Sequence, residues 1–308
     1  MNYTLNQLRI FLKVSELKSV TKAAEALHLT QPAVSIQLKN FQDQFKIPLI
    51  EVVNKKIYVT EFGHRIIESA KKIIAELELI DYQMHAHKGF LTGQLKFSAV
   101  STGKYVAPYF ISSFLKSNPG VTLNLDVTNK AQVVESLSAN LVDFAFVSVL
   151  PQNLQIESMP LLRNKLYLVG NRDHTLIKKK YDYKIFESLP LIFRESGSGT
   201  RHVMEKFFLE NGISIKNQME LTSNEAVKQA VIAGLGFSVM PLIGIKNELE
   251  LGQLQLIPVN GFPIESTWYL IWLRNKRLGP LAEAYLKYLS LQKTEIVNQV
   301  FSWTEKYS

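Results

Sequence analysis

The sequence predicts a small α-helical module carrying a basic β-hairpin, then one long helix, then a two-lobed α/β domain. Three observations predict it: short apolar helical stripes within the first 45 residues, a heptad seam between Thr60 and His87, and alternating strand and helix patterns from Gly89 onward. With 308 residues, 46% hydrophobic and 20% charged, the chain has the composition of a folded protein of two or three domains, not a disordered or fibrous one. It contains no cysteine, which excludes disulfides, thiolate zinc sites, iron–sulfur ligation and cysteine nucleophiles. Six scattered histidines suggest no metal site, and no cofactor is expected. The balance of 35 Lys and Arg against 27 Asp and Glu, +8, favours a polyanionic partner or an anionic ligand. The opening Met1-Asn2-Tyr3-Thr4 has no basic run before an apolar one, and Leu235 to Ile245 is broken by Gly236, Pro241 and Gly244. A soluble, cytoplasmic protein without a membrane partner is therefore expected.

Thr4 and Gln7 have the form of a capping box, which starts a helix running to about Leu17. Ser19 can cap a second helix with the stripe Val20, Ala23, Ala24 and Leu27. Thr30 can cap a third, with Pro32 tolerated in its first turn and an inward stripe of Val34, Leu38, Phe41 and Phe45. The opposite face carries Gln31, Ser35, Lys39 and Gln42, hydrogen-bonding side chains of the kind a helix-turn-helix presents to a major groove. An ordinary three-helix bundle has the same pattern. Two β-branched runs around Asn54-Lys55-Lys56 read as a hairpin whose Lys55 and Lys56 can lie along a phosphate backbone, or form a plain solvated turn.

From Thr60, Ile66, Ala70, Ile73, Leu77, Ile80 and Met84 are spaced 4, 3, 4, 3, 4, a seam that seeks a partner helix or the chain's own domains. Beyond Gly89 the pattern gives strand Leu95–Val100, a helix from about Lys104 to Lys116, strand Val121–Val127, a helix from about Gln132 to Ala139 and strand Asp143–Val149. A second set follows: strands at Leu166–Val169 and Leu191–Phe193, a helix Thr200–Leu209, Met219–Leu221, a helix Glu225–Ala233, strand Phe237–Met240, strand Trp268–Trp272 and a last helix near Pro280–Leu291. Repeated βα units predict parallel sheets with a ligand crevice at the strands' C-terminal ends. Two stretches would face that crevice. Ser101 to Tyr105, with Ser101, Thr102 and Lys104, stand where a strand gives way to a helix. Arg194 to Arg201 form a small-residue loop before another, in which Ser198, Gly199 and Thr200 allow close approach and Arg201 can fork onto an anion. Asn129 is a third group. A flexible turn with ordinary capping is the plainer alternative.

The residues also carry a resemblance. Leu8-Arg9-Ile10-Phe11, Ser19 through Ser35, and Val59-Thr60-Glu61-Phe62-Gly63 resemble the winged helix-turn-helix of LysR-type transcriptional regulators. That resemblance implies DNA contacts at Thr30, Gln31, Pro32, Ser35, Ile36 and Lys39, pairing of subunits through the long helix, and an effector domain like the periplasmic binding proteins. Phe41-Gln42, Val52 and Phe62 depart from the usual pattern. Val100 to Tyr105 with Ala107-Pro108, Arg194-Glu195 with Gly197 to Arg201, and Gly261 to Ile264 look like the Calvin-cycle (RuBisCO) operon branch, CbbR-like, which responds to small phosphorylated or nucleotide metabolites; Ser196 stands where Pro is common.

The organisation expected is residues 1–60 as DNA-binding module, 61–88 as dimerisation helix and 89–308 as effector domain. Within the last, lobe I is about 91–162 and 266–308, and lobe II about 163–265. Expected partners are a pseudo-palindromic double-stranded operator, a small anionic effector, a second copy of the chain in a dimer and tetramer, and RNA polymerase. The same α/β pattern also fits a non-phosphorylated ligand, a free solute-binding protein, or an enzyme built on Ser198 or Thr200 with His202 and Glu195. The absence of a Gly-x-Ser-x-Gly elbow argues against the last.

Overall fold

The computed structural model describes residues 3–53, 56–86, 91–174, 179–215 and 218–307. The chain divides into two compact units, Met1–Gly89 and Phe90–Ser308. In the first, helix α1 (Leu5–Leu17) begins at a complete capping box: Gln7 N donates to Thr4 Oγ1 at 3.3 Å, and Thr4 N donates to Gln7 Oε1 at 2.9 Å. Helix α2 (Val20–Ala26) is capped by the Ser19 hydroxyl, which accepts from Lys22 N. After a turn with His28 at φ 54°, helix α3 (Gln31–Gln42) follows. Thr30 occupies its N-cap position, but among the described residues its hydroxyl makes no cap bond. Pro32, the second helical residue, has no N–H to offer it.

Strands β1 (Ile50–Val53) and β2 (Lys56–Val59) form an antiparallel hairpin in the register Ile50↔Val59 to Val53↔Lys56. Helix α4 (Glu61–Ala86) starts beneath it, where Gly63 N donates to Thr60 Oγ1 at 2.9 Å. A Cβ on Gly63 would lie 2.0 Å from the Leu49 carbonyl oxygen, so only glycine fits where helix and hairpin meet. The core of this unit is Leu8, Ile10, Phe11, Val14, Ala23, Ala24, Val34, Leu38, Phe41, Leu49, Ile57 and Ala70.

Two sequence readings are corrected here. Phe45 lies past the end of α3, where it packs on Tyr3, Phe41 and Phe62; this aromatic cluster gives Phe62 its place. The heptad seam is not one continuous surface, because Ile66 and Ala70 pack into the unit's own core. Ile73 is exposed, and the side chains of Ile80 and Met84 lie outside the described residues.

In the second unit, strand β3 (Thr92–Val100) leads through a 3₁₀ turn at Ser101–Tyr105 to helix α5 (Ala107–Ser117). Strand β4 (Gly120–Thr128), helix α6 (Lys130–Ser138) and strand β5 (Phe144–Val147) follow, and β4, β3 and β5 are parallel. Strand β6 (Ile156–Asn171) then carries the chain into strand β7 (Leu191–Arg194), helix α7 (Gly199–Glu210), strand β8 (Gln218–Leu221) and helix α8 (Asn224–Ile232). Strand β9 (Ser238–Pro241), helix α9 (Lys246–Glu250), strand β10 (Leu254–Ile257) and strand β11 (Ile264–Leu273) precede helix α10 (Pro280–Ile296).

The expected parallel sheet is mixed. Its order is β10-β6-β11-β5-β3-β4, with β9 also on β6, and β11 runs antiparallel to both β5 and β6. The reason is that β6 and β11 are the two crossings between lobes, so they travel in opposite directions. A separate parallel pair, β7 and β8, completes the second lobe. Strand β6 is 16 residues long, far beyond the expected Leu166–Val169, and β10 was not expected at all. The helix expected from Lys104 starts at Ala107, beside Pro108, so Ser101–Tyr105 is a separate turn.

Separate apolar clusters fill the lobes. One gathers Phe97, Phe110, Phe144, Phe146, Trp268 and Tyr285; the others gather Leu166, Phe186, Phe193 and Phe208, and Ile192, Val227, Val231 and Ile245. After α10 the chain continues through Val297–Phe301 and Ser302–Tyr307, and Trp303 packs against both the first cluster and the last. This segment is fastened to β6: Lys165 Nζ donates to Glu305 Oε2 at 3.1 Å, and the Tyr167 hydroxyl donates to the Tyr307 carbonyl. Among the described residues no helix is long and apolar enough to cross a membrane.

Candidate effector cleft and nucleic-acid interface

On the first unit, Thr30, Gln31, Pro32, Ile36 and Lys39 are exposed along α3, and Ser35 is half-buried beside them. Gln31 Nε2 donates to Ser35 Oγ at 3.0 Å, which fixes both polar groups on one face. Gln42 does not extend this row: its Oε1 accepts from Ile50 N at 3.3 Å and ties the hairpin to α3. Lys56 is exposed at the start of β2, and Lys55 lies outside the described residues. The outer hairpin also shows Val52 and Tyr58 to solvent.

On the second unit, a cleft opens at the C-terminal ends of the strands. Val100, Ser101, Thr102, Asn129, Lys130 and Ser148 line one side; Arg194, Glu195, Ser198, Gly199 and Thr200 line the other. Gly199 brings the start of α7 across it: a Cβ there would meet Ser148 Oγ at 3.3 Å. Ser198 is the N-cap residue of α7 and, among the described residues, forms no side-chain cap bond, so the positive helix end is left for another acceptor. Asn129 is partly committed, since its Oδ1 accepts from Gln132 N at 2.9 Å to cap α6.

Arg194 dominates the cleft. It is only 4% exposed, and it forks onto Glu195 with Nε to Oε2 at 2.7 Å and Nη2 to Oε1 at 2.8 Å. Nη2 also donates to Ser101 Oγ at 2.9 Å, joining β7 to the end of β3. Its Nη1 is buried and has no hydrogen-bond partner among the described residues. A buried charged nitrogen in that state is costly unless an acceptor arrives.

The sequence reading placed two cations differently. Arg201 lies outside the cleft: Nε donates to Glu205 at 2.6 Å, and Nη1 to Glu220 at 2.5 Å and to the Arg194 carbonyl at 2.9 Å. Hydrogen bonds to Glu205 and then Glu220 push its pKa above the ordinary value. Lys104 is exposed, with Nζ 5.0 Å from the Tyr105 ring centre, because the 3₁₀ turn aims it away from the strand ends. Ser101, Thr102, Asn129, Ser198, Gly199 and Thr200 do converge. Sequence reasoning missed Lys130 and Ser148; it named Arg194 and Glu195 only as the start of the loop and gave the anion-binding role to Arg201, although an arginine closing the apolar run Leu191-Ile192-Phe193 was a visible signal. The enzyme grouping does not assemble, since His202 is exposed on α7 and Glu195 is held by Arg194. Among the described residues no group of His, Asp and Glu is placed to hold a metal.

Another buried cation, Lys228, sits on α8. Lys228 Nζ meets Glu248 Oε1 at 2.7 Å and Glu225 Oε2 at 3.0 Å. Burial opposes its charge, but the hydrogen bonds to Glu248 and Glu225 prevail and raise its pKa.

Residues 5–64 match the family described as bacterial regulatory helix-turn-helix protein, lysR family, and residues 88–292 match the LysR substrate binding domain. The chain belongs to the LysR family of transcriptional regulators. As such it is a non-enzymatic, DNA-binding LysR-type regulator with an effector-binding domain. It is 39% identical over 289 residues to the transcriptional activator CmpR of Synechocystis sp., covering 94% of this chain and 95% of that one. It is 38% identical over 290 residues to the RuBisCO operon transcriptional regulator of Allochromatium vinosum, covering 94% and 96%. The solved regulatory domain of Synechocystis CcmR in complex with 2-PG superposes with TM-score 0.61 at 32% identity, covering 64% of this chain and 96% of that one. Full-length OxyR of Pseudomonas aeruginosa shares the fold, with TM-score 0.71 at 20% identity over 96% of this chain and 95% of that one.

Proposed function

We propose that this LysR-type regulator senses a small phosphorylated anion in the cleft around Arg194 and converts its occupancy into a changed grip on an operator. The observation that carries this reading is the buried Arg194 Nη1, unpartnered among the described residues, on an arginine that lines a cleft together with Ser101, Thr102, Ser148, Ser198 and Thr200. The uncapped start of α7 adds a positive field at the same place. The 2-PG (2-phosphoglycolate) held by the CcmR domain supports the same ligand class.

DNA is held in this reading by Thr30, Gln31, Pro32, Ser35, Ile36 and Lys39 in the major groove, with Lys55 and Lys56 on the phosphate backbone. Two copies pair through α4 from Ile73 onward, where the seam leaves its own module, so that two α3 helices read two half-sites of a pseudo-palindrome. Residues 1–60, 61–88 and 89–308 are then the reading module, the spacer and the sensor. Assembly of dimers into a tetramer, and contact with RNA polymerase in the cytoplasm, belong to the same proposal. A ligand moves the lobes only as far as it binds one arrangement more tightly than the other.

Thermal unfolding of the full-length protein with 2-phosphoglycolate, glycolate and inorganic phosphate tests it. A true ligand at 100 times its Kd adds ~2.7 kcal/mol. Stabilisation by 2-phosphoglycolate that fails with glycolate, and is lost in Thr102→Ala, supports the reading. Equal stabilisation by glycolate replaces it with a plain carboxylate sensor.

A further inference from the structure

The cleft that takes an anion also holds a carboxylate. Glu195 lines it beside Ser198 and Thr200, and its side chain keeps 20% exposure. Each of its oxygens accepts one bond from Arg194, at 2.7 and 2.8 Å. A carboxylate offers about four acceptor sites, so roughly half of them stay open toward the cleft. A fully ionised oxyanion brings only acceptors to such a group, and the two repel. An oxyanion that keeps one proton donates to it instead, in the short and strong O–H···O⁻ bond.

The charges around Glu195 sharpen the choice. Arg194 of β7 is already matched by Glu195, and Lys130 of α6 is the other cation lining the cleft. Arg201 of α7 is turned to Glu205 and Glu220, and His202 is exposed on α7 outside the cleft. A doubly charged group would therefore enter beside a carboxylate with little cationic surplus to hold it.

We infer that Glu195 is a specificity-determining residue: it accepts a hydrogen bond from a protonated oxygen of the bound phosphate, and so selects the singly protonated phosphate ester over a fully ionised oxyanion of the same shape. This rests on the phosphorylated-anion reading above. A phosphate monoester loses its second proton near pH ~6, whereas a sulfate ester has no proton to offer in that range. The two esters are thus near-isosteric probes that differ in the one property Glu195 reads.

Isothermal titration of the full-length protein with 2-phosphoglycolate and with glycolate 2-sulfate, from pH 5.5 to 8.5, decides it. For the wild type, the Kd of the phosphate ester rises by about tenfold per pH unit above ~6, and the sulfate ester binds at least ~30-fold more weakly at pH 6. In Glu195→Gln the slope falls below about threefold per unit and the sulfate ester binds within about threefold of the phosphate ester. His202→Gln keeps the wild-type slope. Wild-type binding that ignores pH, or a sulfate ester as tight as the phosphate, overturns the inference, and these arms stand even where the Glu195 variant does not fold. Binding of neither ester overturns the reading of the cleft, and the role of Glu195 falls with it.

Discussion

Two of the buried cations in the second unit, Lys228 and Arg194, meet carboxylates in the same way and end in opposite conditions. Lys228 is caught between Glu225 of its own helix and Glu248 of α9, so its charge joins two elements of one lobe. Arg194 is also paired, with Glu195, and reaches Ser101 in the other lobe, yet its Nη1 is unpartnered among the described residues. The comparison teaches that burial and pairing alone do not mark a site. A donor left over after pairing does, because the fold has met the cost of burying it without using it.

The largest expected effect breaks the comparison from the Arg194 side. Arg194→Leu raises the Kd for 2-phosphoglycolate by at least ~100-fold, about 2.7 kcal/mol, and lowers Tm by ~4–8 °C through loss of its bonds to Glu195 and Ser101. Retained binding in that variant would make Arg194 a strut of the Lys228 kind. In Lys228→Ala only stability suffers: loss of its charged hydrogen bonds costs about 2 kcal/mol of stability, or ~4–8 °C in Tm, with binding within about threefold of wild type.

Titration separates the two clusters further. The folded pKa of Lys228 lies above its ordinary 10.5, so its stabilisation is fully present below that value and is lost as pH climbs through the folded one. Glu225 runs the other way: burial opposes its charge, but hydrogen bonds from Gln229 and Lys228 leave its pKa below the ordinary 4.5. Its contribution is present above that value and fades as pH falls below it. The wild type therefore loses stability above about pH 10.5 through this cluster, and Lys228→Ala flattens that part of a Tm-against-pH curve. The smallest effect is Arg201→Ala, where loss of pairs to the half-exposed Glu205 and Glu220 costs up to ~1 kcal/mol and leaves ligand binding within about fivefold. A hundredfold loss there would return Arg201 to the cleft.

Much of the first unit was legible because its signals are local. Thr4 and Gln7 close their box within one turn, and Ser19 and Thr60 cap the helices that follow them. The heptad spacing placed Ile66 and Ala70 on one helix face, but that they pack into the module's own core beside Leu8 and Phe11 is something no spacing reveals. In the second unit the glycine-rich loop before α7 was visible, whereas the choice between its two flanking arginines was not. Glu205, four residues on, pulls Arg201 along its own helix; Glu220 comes from β8, a partner only the fold supplies. The mixed sheet escaped for a similar reason. A crossing strand such as β6 is apolar over much of its length whichever way its neighbour runs.

The last turn of the chain has a practical consequence. Trp303 rests against the core of one lobe and a core of the other, with Lys246 Nζ 5.3 Å from its ring centre. Trp268 is buried wholly within the first lobe. One indole thus bridges the two lobes, so under the lobe movement proposed above the Trp303 contribution to the protein's own fluorescence becomes a readout of ligand binding that needs no added label.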